Sequence, residues 1–447
     1  MMDYLKNDIP IMKTFTYNGK YYLYDTYTNR LLHISKEHFA ELNNLQRIGL
    51  KYYKQMKKDT LAYSDVLGLI QKGMLKPAWI SEIVHPATRF IDAILNRCLS
   101  DLTLQVTRNC NLRCRYCLFA NNNGIERGHE KANMSWPVAK RGVDFLYEHS
   151  KDARELIIAF YGGEPMLNFS LIKKVTEYSA QLFFSKNITY RMTINGTVLT
   201  NDMIEFLVKN NFYIAISFDG PTEIQNRHRK FLDTGADTYN TVINIIERIK
   251  ENSPLYFERN VSFIPVAFAD EDEHIVFNFF KEHGISPDKL LFLDADLSGV
   301  DYNSNYLLDY AERRFNYSKD EDAYSNKATI PSKWHHRGPC IPSIKSLFVD
   351  VNGSFYPCEG FLALPELAIG NIENGFDREK IISYLNIGQI DEGSCKSCWL
   401  MRFCSICALN CIDVDKKMIT REQKKMCCEG QEYRAISFLK EKIKSTN

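Results

Sequence analysis

The tightest constraint on this chain is the run Cys110-Asn-Leu-Arg-Cys114-Arg-Tyr-Cys117, three cysteines in the pattern CxxxCxxC straight after the apolar stretch 102–106. Three thiolates on one short loop can hold three irons of a cubic iron–sulfur cluster and leave the fourth open to a small chelating molecule. That arrangement suits radical chemistry, in which a cluster passes one electron to a bound cofactor. Zinc is the plainer alternative. Zinc ribbons, however, pair two CxxC arms, and no second arm lies near this one.

The other cysteines point the same way. Of thirteen, three are in this run, nine lie at or beyond Cys340, and the 222 residues between Cys117 and Cys340 contain none. In a large intracellular chain such clustering speaks for metal or catalysis and against scattered core thiols. Cys98, alone among Ile94, Leu95 and Leu99, reads as a buried inert thiol. A net charge of +1 gives no electrostatic case for nucleic acid. No apolar run reaches membrane-spanning length. The first residues, with Asp3 and Asp8, lack the apolar core of a signal peptide, so a cytoplasmic location is expected.

At 447 residues the chain has room for two or three domains. Residues 11–34 read as three short strands, with Asn18-Gly19 as a two-residue hairpin turn. Ser35 reads as the N-cap of a helix carrying Phe39, Leu42 and Leu45, and a second helix over 63–72 stops at Gly73. Strands followed by helices make residues 1–80 a winged-helix-like unit. It holds twelve Lys and Arg against seven Asp and Glu. A mildly basic sheet edge can take an extended acidic peptide by strand addition; a dimerisation or purely structural appendage is the alternative. Residues 81–100 read as a linker ending in a helix.

From residue 101 a βα rhythm begins. Candidate strands are 102–106, 155–160, 189–193, 213–217, 261–266 and 289–292, with helical patterns over 138–148, 171–184, 202–210, 239–251 and 273–283 between them. Continuous apolar strands alternating with helices imply a parallel sheet. Six such strands over 101–295 fit a partial (β/α)6 barrel, with a doubly wound open sheet as the alternative. Both bind ligands at the C-terminal ends of the strands. Residues 296–338 read as a linker with one helix over 306–315. In 339–447 a hairpin over 349–356 turns at Gly353, and His335-His336 before it read as exposed.

The strand ends carry the chemistry. Tyr161-Gly162-Gly163-Glu164-Pro165 follows the second strand: two glycines let backbone approach a ligand, and Glu164 offers an acceptor to an ammonium group. Thr193-Ile194-Asn195-Gly196-Thr197 follows the third. Ser217-Phe218-Asp219-Gly220-Pro221 ends the fourth. With Arg229 twelve residues on, preferred over Arg227, a hydroxyl and a guanidinium can bind a carboxylate there. Asp219, Asp294 and Asp296 lie near strand ends and are candidates for a general base. The C-terminal array comprises Cys340, Cys358, Cys395, Cys398, Cys404, Cys407, Cys411, Cys427 and Cys428. Two four-iron clusters need eight thiolates, and these are nine. One or two zinc sites are the alternative.

Taken together, the CxxxCxxC run with Tyr116 before its last cysteine, the Gly162-Gly163-Glu164-Pro165 match and the C-terminal array resemble the radical S-adenosylmethionine (radical SAM) enzymes with a SPASM extension, across nearly the whole chain. The array departs from the SPASM pattern CxxCx5CxxxC by one residue, since only two residues separate Cys404 from Cys407. The Arg229 stretch also lacks the family's His-Asp pair. The resemblance implies three 4Fe–4S clusters. One, on Cys110, Cys114 and Cys117, would bind S-adenosylmethionine, helped by Tyr116, Gly162, Gly163, Glu164, Asn195, Ser217 and Arg229. A second would take Cys395, Cys398, Cys404 and one of Cys427 and Cys428. A third would take Cys340, Cys358 and Cys407, with Cys411 as a possible fourth ligand or an iron left open to a substrate thiolate. The unit at 1–80 resembles the peptide-recognition element of enzymes that modify ribosomally made peptides. The implied partners are a leader-bearing, cysteine-rich precursor peptide and an electron donor such as flavodoxin or ferredoxin; neither nucleic acid nor membrane is expected. The implied reaction is hydrogen abstraction by a 5′-deoxyadenosyl radical with formation of Cys thioether crosslinks. Carbon–carbon crosslinking, formylglycine formation on a sulfatase, and a non-catalytic metal-binding peptide scaffold are the alternatives.

Overall fold

The computed structural model describes residues 8–77, 80–117, 129–267, 270–291, 293–294, 330, 347–361 and 364–445. Cys340, Asp296, the side chain of Asp294, the helix expected over 306–315 and the His335-His336 pair lie outside them.

The chain begins with three antiparallel strands in sequence order, β1 (Met12–Tyr17), β2 (Lys20–Asp25) and β3 (Arg30–Ile34). Asn18 and Gly19 both take left-handed backbone, φ 48° and 71°, as a tight hairpin turn compatible with strand twist demands. The Ser35 side chain accepts the His38 N–H and starts helix Lys36–Ile48. Helices Leu50–Gln55 and Leu61–Gln71 follow. Met12 and Leu23 of the sheet meet Leu42, Leu45, Tyr53 and Val66 of the helices in a separate small core.

The central sheet is built from β4 (Asp101–Thr107), β5 (Glu155–Gly162), β6 (Asn187–Ile194), β7 (Tyr213–Ile216) and β8 (Val261–Phe263), adjacent in chain order and all parallel. Helices Trp136–His149, Phe169–Leu182, Asn201–Lys209 and Tyr239–Asn252 lie in the crossovers. Burial alternates along the ends of β5 and β6, and Leu102, Leu104 and Val106 of β4 are fully buried, as strands covered by helices require.

The sixth strand expected over 289–292 is displaced. Pro265 cannot donate a ladder hydrogen bond, so the run 261–266 breaks into β8 and a separate β9 (Val266–Ala267). Pro287 opens a 3-10 turn, Pro287–Lys289, and the chain re-forms as β10 (Leu293–Asp294), parallel to β9. A lone parallel bridge, Phe263 to Leu290, keeps the order at this place.

A second departure is at the other edge. β11 (Leu347–Val349) pairs in parallel with β4, Leu347 opposite Leu102, and β12 (Phe355–Tyr356) returns antiparallel to it. The hairpin therefore closes the free edge of the central sheet as well as beginning the cysteine-rich region. Gly353 turns it at φ 92°. Phe145 of the first crossover helix packs on Phe355 and Phe376, so the C-terminal region shares the main core. The chain ends in the helix Arg421–Lys444. Cys98 is half-buried, not buried as expected: it caps helix Ile91–Arg97 while Leu95 and Leu99 take the inner positions. Among the described residues no helix is long and apolar enough to cross a membrane.

Candidate active site

The Cys110–Cys117 loop is anchored at its start by the turn after β5 and in its middle by residues 228–232, at and beyond the end of helix Thr222–His228. At its start, Gly163 N–H donates to Thr107 O (3.1 Å) and Glu164 N–H to Asn109 O (2.8 Å). The two glycines make this approach possible. A Cβ on Gly162 would stand 2.2 Å from Thr107 O, and one on Gly163 would stand 2.4 Å from Asn109 O. Their first role is thus to seat the loop's own backbone. In its middle, Arg113 N–H donates to Lys230 O and Leu232 N–H to Asn111 O, each at 2.9 Å. Arg115 N–H donates to His228 O at 3.0 Å.

Asn195, just past β6, reaches the loop from above the sheet. Its amide donates to Asn111 Oδ1 (2.8 Å) and lies 4.0 Å from Cys110 Sγ; its Oδ1 accepts from the Thr197 N–H and hydroxyl. Asn111 Nδ2 donates to Thr197 Oγ1, closing the ring. Sequence reading missed Asn111, although it stands inside the motif. It also missed His129, whose Nε2 lies 3.5 Å from Cys117 Sγ and which carries no pattern in the sequence.

Glu164 is fully buried. One oxygen accepts Met166 N–H (3.0 Å) and the other Asn195 N–H (2.7 Å), so the carboxylate ties the end of β5 to the end of β6. Burial pushes its pKa up to about 7, against the lowering by those two hydrogen bonds.

Asp219 and Arg229 form a buried, two-pronged ion pair, Nε to Oδ2 at 2.8 Å and Nη2 to Oδ1 at 3.0 Å. Asp219 also accepts from the Tyr116 hydroxyl (2.8 Å) and from Val266 N–H (3.0 Å). The Arg229 guanidinium stacks 5.2 Å from the Tyr116 ring, and its charge favours the Cys114 thiolate against the effect of burial. Asp219, one of the expected bases, is thus saturated by protein groups, and Arg229 is held by a carboxylate of the chain itself. Ser217 is half-buried at the same strand end, its N–H on Ile194 O.

Burial raises the Cys110 thiol to about 12 and the Cys114 thiol to about 11, with the neighbouring thiols adding to it in each. Buried thiols of this kind ionise when a metal charge replaces the proton. Three thiols, one buried and two half-buried, on a loop fixed by backbone with glycines at its foot fit a cubic cluster. Among the described residues no three Cys, His, Asp or Glu side chains close around one point as for a single ion.

The C-terminal cysteines divide by their electrostatics. Burial raises the thiols of Cys358, Cys395, Cys398, Cys404, Cys411 and Cys427. Beyond burial, Cys398 feels Cys395 and Cys428, Cys404 feels Cys398 and Cys395, and Cys395 feels Cys428. Cys358 feels Cys407, while Cys411 feels Cys427 and Cys407 and, more weakly, Cys428. Lys424 lies among them, its Nζ donating to Cys395 Sγ at 3.1 Å.

The N-terminal sheet docks on this region. Tyr24 of β2 packs edge-on against Trp399 and Phe403, with centroids 6.2 and 5.3 Å apart. Buried Arg402 donates to Thr26 O (3.3 Å) and Tyr27 O (3.4 Å). Phe15, Tyr22 and Tyr24 share a core with Leu439 and Ile443 of the last helix.

Residues 104–276 match the family model of the radical SAM superfamily. The radical SAM cyclopropyl synthase TigE of Paramaledivibacter caminithermalis is 25% identical over 342 residues, 70% of this chain and 68% of that protein. A cysteine-type anaerobic sulfatase-maturating enzyme of Clostridium perfringens is 24% identical over 348 residues, 70% of this chain and 90% of that protein. Among solved structures, native anSMEcpe with bound AdoMet superposes with a TM-score of 0.57 at 21% identity, covering 78% of this chain and 99% of that one. That likeness fixes the fold, an α/β sheet rich in parallel strands. With the CxxxCxxC loop standing at the strand ends inside the matched segment, the chain is an enzyme that carries a radical SAM domain over residues 104–276 and is related to radical SAM maturases.

Proposed function

We propose that this enzyme binds S-adenosylmethionine beside a 4Fe–4S cluster on Cys110, Cys114 and Cys117 and modifies a ribosomally made precursor peptide, joining a cysteine sulfur to carbon in a thioether. The observation that carries this reading is the seating of the three-cysteine loop on the ends of β4 to β7, where Asn195, Glu164 and the Tyr116–Asp219–Arg229 group converge. The cluster and cofactor, when bound, supply a 5′-deoxyadenosyl radical that takes a hydrogen atom from the substrate. The chain's own part is position. Glu164 and Asn195 hold the loop; Gly162, Gly163 and Ser217 leave backbone and a hydroxyl for the amino-acid end of the cofactor. Arg229 brings a positive charge to bear on Cys114 while Asp219 keeps it aimed.

Two auxiliary clusters complete the proposal. Cys395, Cys398, Cys404 and Cys428 hold one, with Cys428 preferred over Cys427 because it acts on Cys395 and Cys398. Cys340, Cys358, Cys407 and Cys411 hold the other. Residues 1–80 recognise the leader of a cysteine-rich peptide as a winged-helix-type unit, 81–100 link it to the barrel at 101–295, and 296–338 lead to the SPASM region at 339–447. The solved structure bound to AdoMet and the Kp18Cys peptide supports a peptide substrate by analogy. A ferredoxin or flavodoxin supplies the electron.

Formylglycine formation is the second reading, favoured by the 90% coverage of the Clostridium perfringens sulfatase-maturating enzyme. Anaerobic assay with dithionite and a cysteine-rich precursor peptide separates the two. Thioether formation releases 5′-deoxyadenosine and leaves the peptide two hydrogens lighter per crosslink, with the thiol lost to alkylation. Formylglycine formation instead gives a product that reacts with hydrazides. Absence of 5′-deoxyadenosine, or zinc without acid-labile sulfide in protein purified without air, overturns the proposal.

A further inference from the structure

Lys424 is placed where a lysine is costly twice over. It is only 2% exposed, and it stands in the first turns of helix Arg421–Lys444, where the positive end of the helix dipole repels a cation. A buried ammonium needs an anion in hydrogen-bond reach. Asp391, a carboxylate within electrostatic reach of Lys424, is ion-paired with Arg421 at 2.5 Å. The hydrogen-bond acceptor Lys424 Nζ has is Cys395 Sγ at 3.1 Å. One turn on, Cys428 donates to Lys424 O (3.3 Å), so lysine and cysteine lie on the same helix face. Cys395, Cys398, Cys404 and Cys428 all lie within its electrostatic reach.

A neutral thiol repays little of that cost. A four-iron cluster on those thiolates repays more, because it carries net negative charge and gains one further unit on reduction. Cluster potential follows net charge, hydrogen bonds to the sulfurs and solvent exposure. We propose that Lys424 is a positioning residue for the redox balance of this cluster: its fixed positive charge, hydrogen-bonded to Cys395 Sγ, favours the reduced form and so makes the cluster the better electron acceptor. The proposal rests on the reading of Cys395, Cys398, Cys404 and Cys428 as cluster ligands.

The test uses the full chain, purified anaerobically, with Cys110, Cys114 and Cys117 replaced by Ala so that only auxiliary clusters remain. Iron and acid-labile sulfide are counted first. If neither is present, the cluster reading itself fails and the proposal with it. If both are, the reduced cluster is followed by electron paramagnetic resonance against dithionite at set potentials. At the potential where the parent protein is half reduced, Lys424→Met lowers the reduced-to-oxidised ratio at least tenfold, a shift of 59 mV for one electron. Lys424→Arg, which keeps the charge, stays within threefold. An unchanged ratio in a fully loaded Lys424→Met protein overturns the proposal, as does an equal shift in Lys424→Arg. Should Lys424→Met fail to load iron, Lys424→Gln is read in its place. If both neutral variants fail while Lys424→Arg loads, the charge requirement stands; if all three fail, it does not.

Discussion

Asp219 and Arg229 show how much of this site is spent on holding itself together. Each is buried and each satisfies the other, so removing one partner strands a charge in the interior. Asp219→Asn is expected to lower stability by about 3–5 kcal/mol, read from the urea midpoint of the anaerobic protein. It should also loosen Tyr116, since a single amide oxygen must then serve the Tyr116 hydroxyl and Arg229 that two carboxylate oxygens now share. Glu164 makes a different prediction. Its pKa in the fold is raised to about 7, above the unfolded carboxyl's 4.5. The folded chain then binds the extra proton between those values, so this group's contribution to stability is greatest below the unfolded pKa and falls as pH rises toward 7. Glu164→Gln removes that slope and sets an amide N–H against a backbone N–H, costing about 1–3 kcal/mol. Urea midpoints of the two proteins should therefore lie further apart at pH 5.5 than at pH 8.

Among the elements, the turn after β5 carries most of the consequence. A methyl group on Gly163 meets backbone oxygens of Asn109 and Arg108, at 2.4 and 2.9 Å, and backbone cannot swing aside as a side chain can. Gly163→Ala should displace the cysteine loop, and iron bound after reconstitution should fall by about one cluster's share while the auxiliary region keeps its own. The strands β4 to β7, their crossover helices and the first hairpin could be read from the sequence, because apolar runs, caps and Asn18-Gly19 are local signals. The break at Pro265 was readable in principle, since proline cannot join a ladder, but the apolar residues around it masked the point. The pairing of β11 with β4 was not readable: three apolar residues, Leu347 to Val349, say that a strand exists and nothing about its neighbour. For the site the same division holds. The motifs named the loop, Glu164 and Asn195, whereas the saturation of Asp219 depends on Tyr116 and Val266 arriving from elsewhere in the chain.

In the whole molecule, the N-terminal sheet is not a loose appendage. Tyr24, Trp399 and Phe403 make an aromatic seam between it and the cysteine-rich region, and Arg402 fastens two carbonyls of the loop after β2. Arg402→Ala leaves those carbonyls without their buried donor, at a cost of about 1–3 kcal/mol. Limited proteolysis should cut within residues 8–77 about tenfold faster in that variant, since each 1.4 kcal/mol is a factor of ten in the open population. Equal rates would show that the seam does not hold the unit in place. No sequence pattern announced this contact, because each aromatic on it looks like ordinary core in its own segment.

The pairing of Leu347 with Leu102 has a consequence for how the protein is made. β4 leaves the ribosome early, and its outer neighbour emerges only after more than half the chain has been synthesised. Until then β4 presents an unpaired, apolar edge, the kind that invites a neighbouring nascent chain to add itself. Expression of residues 101–294 by themselves should accordingly give inclusion bodies, and adding 347–361 back on a tether should rescue solubility. The birth of this enzyme is a wait, with the first strand of its central sheet uncovered on one side until its own distant hairpin comes to pair with it.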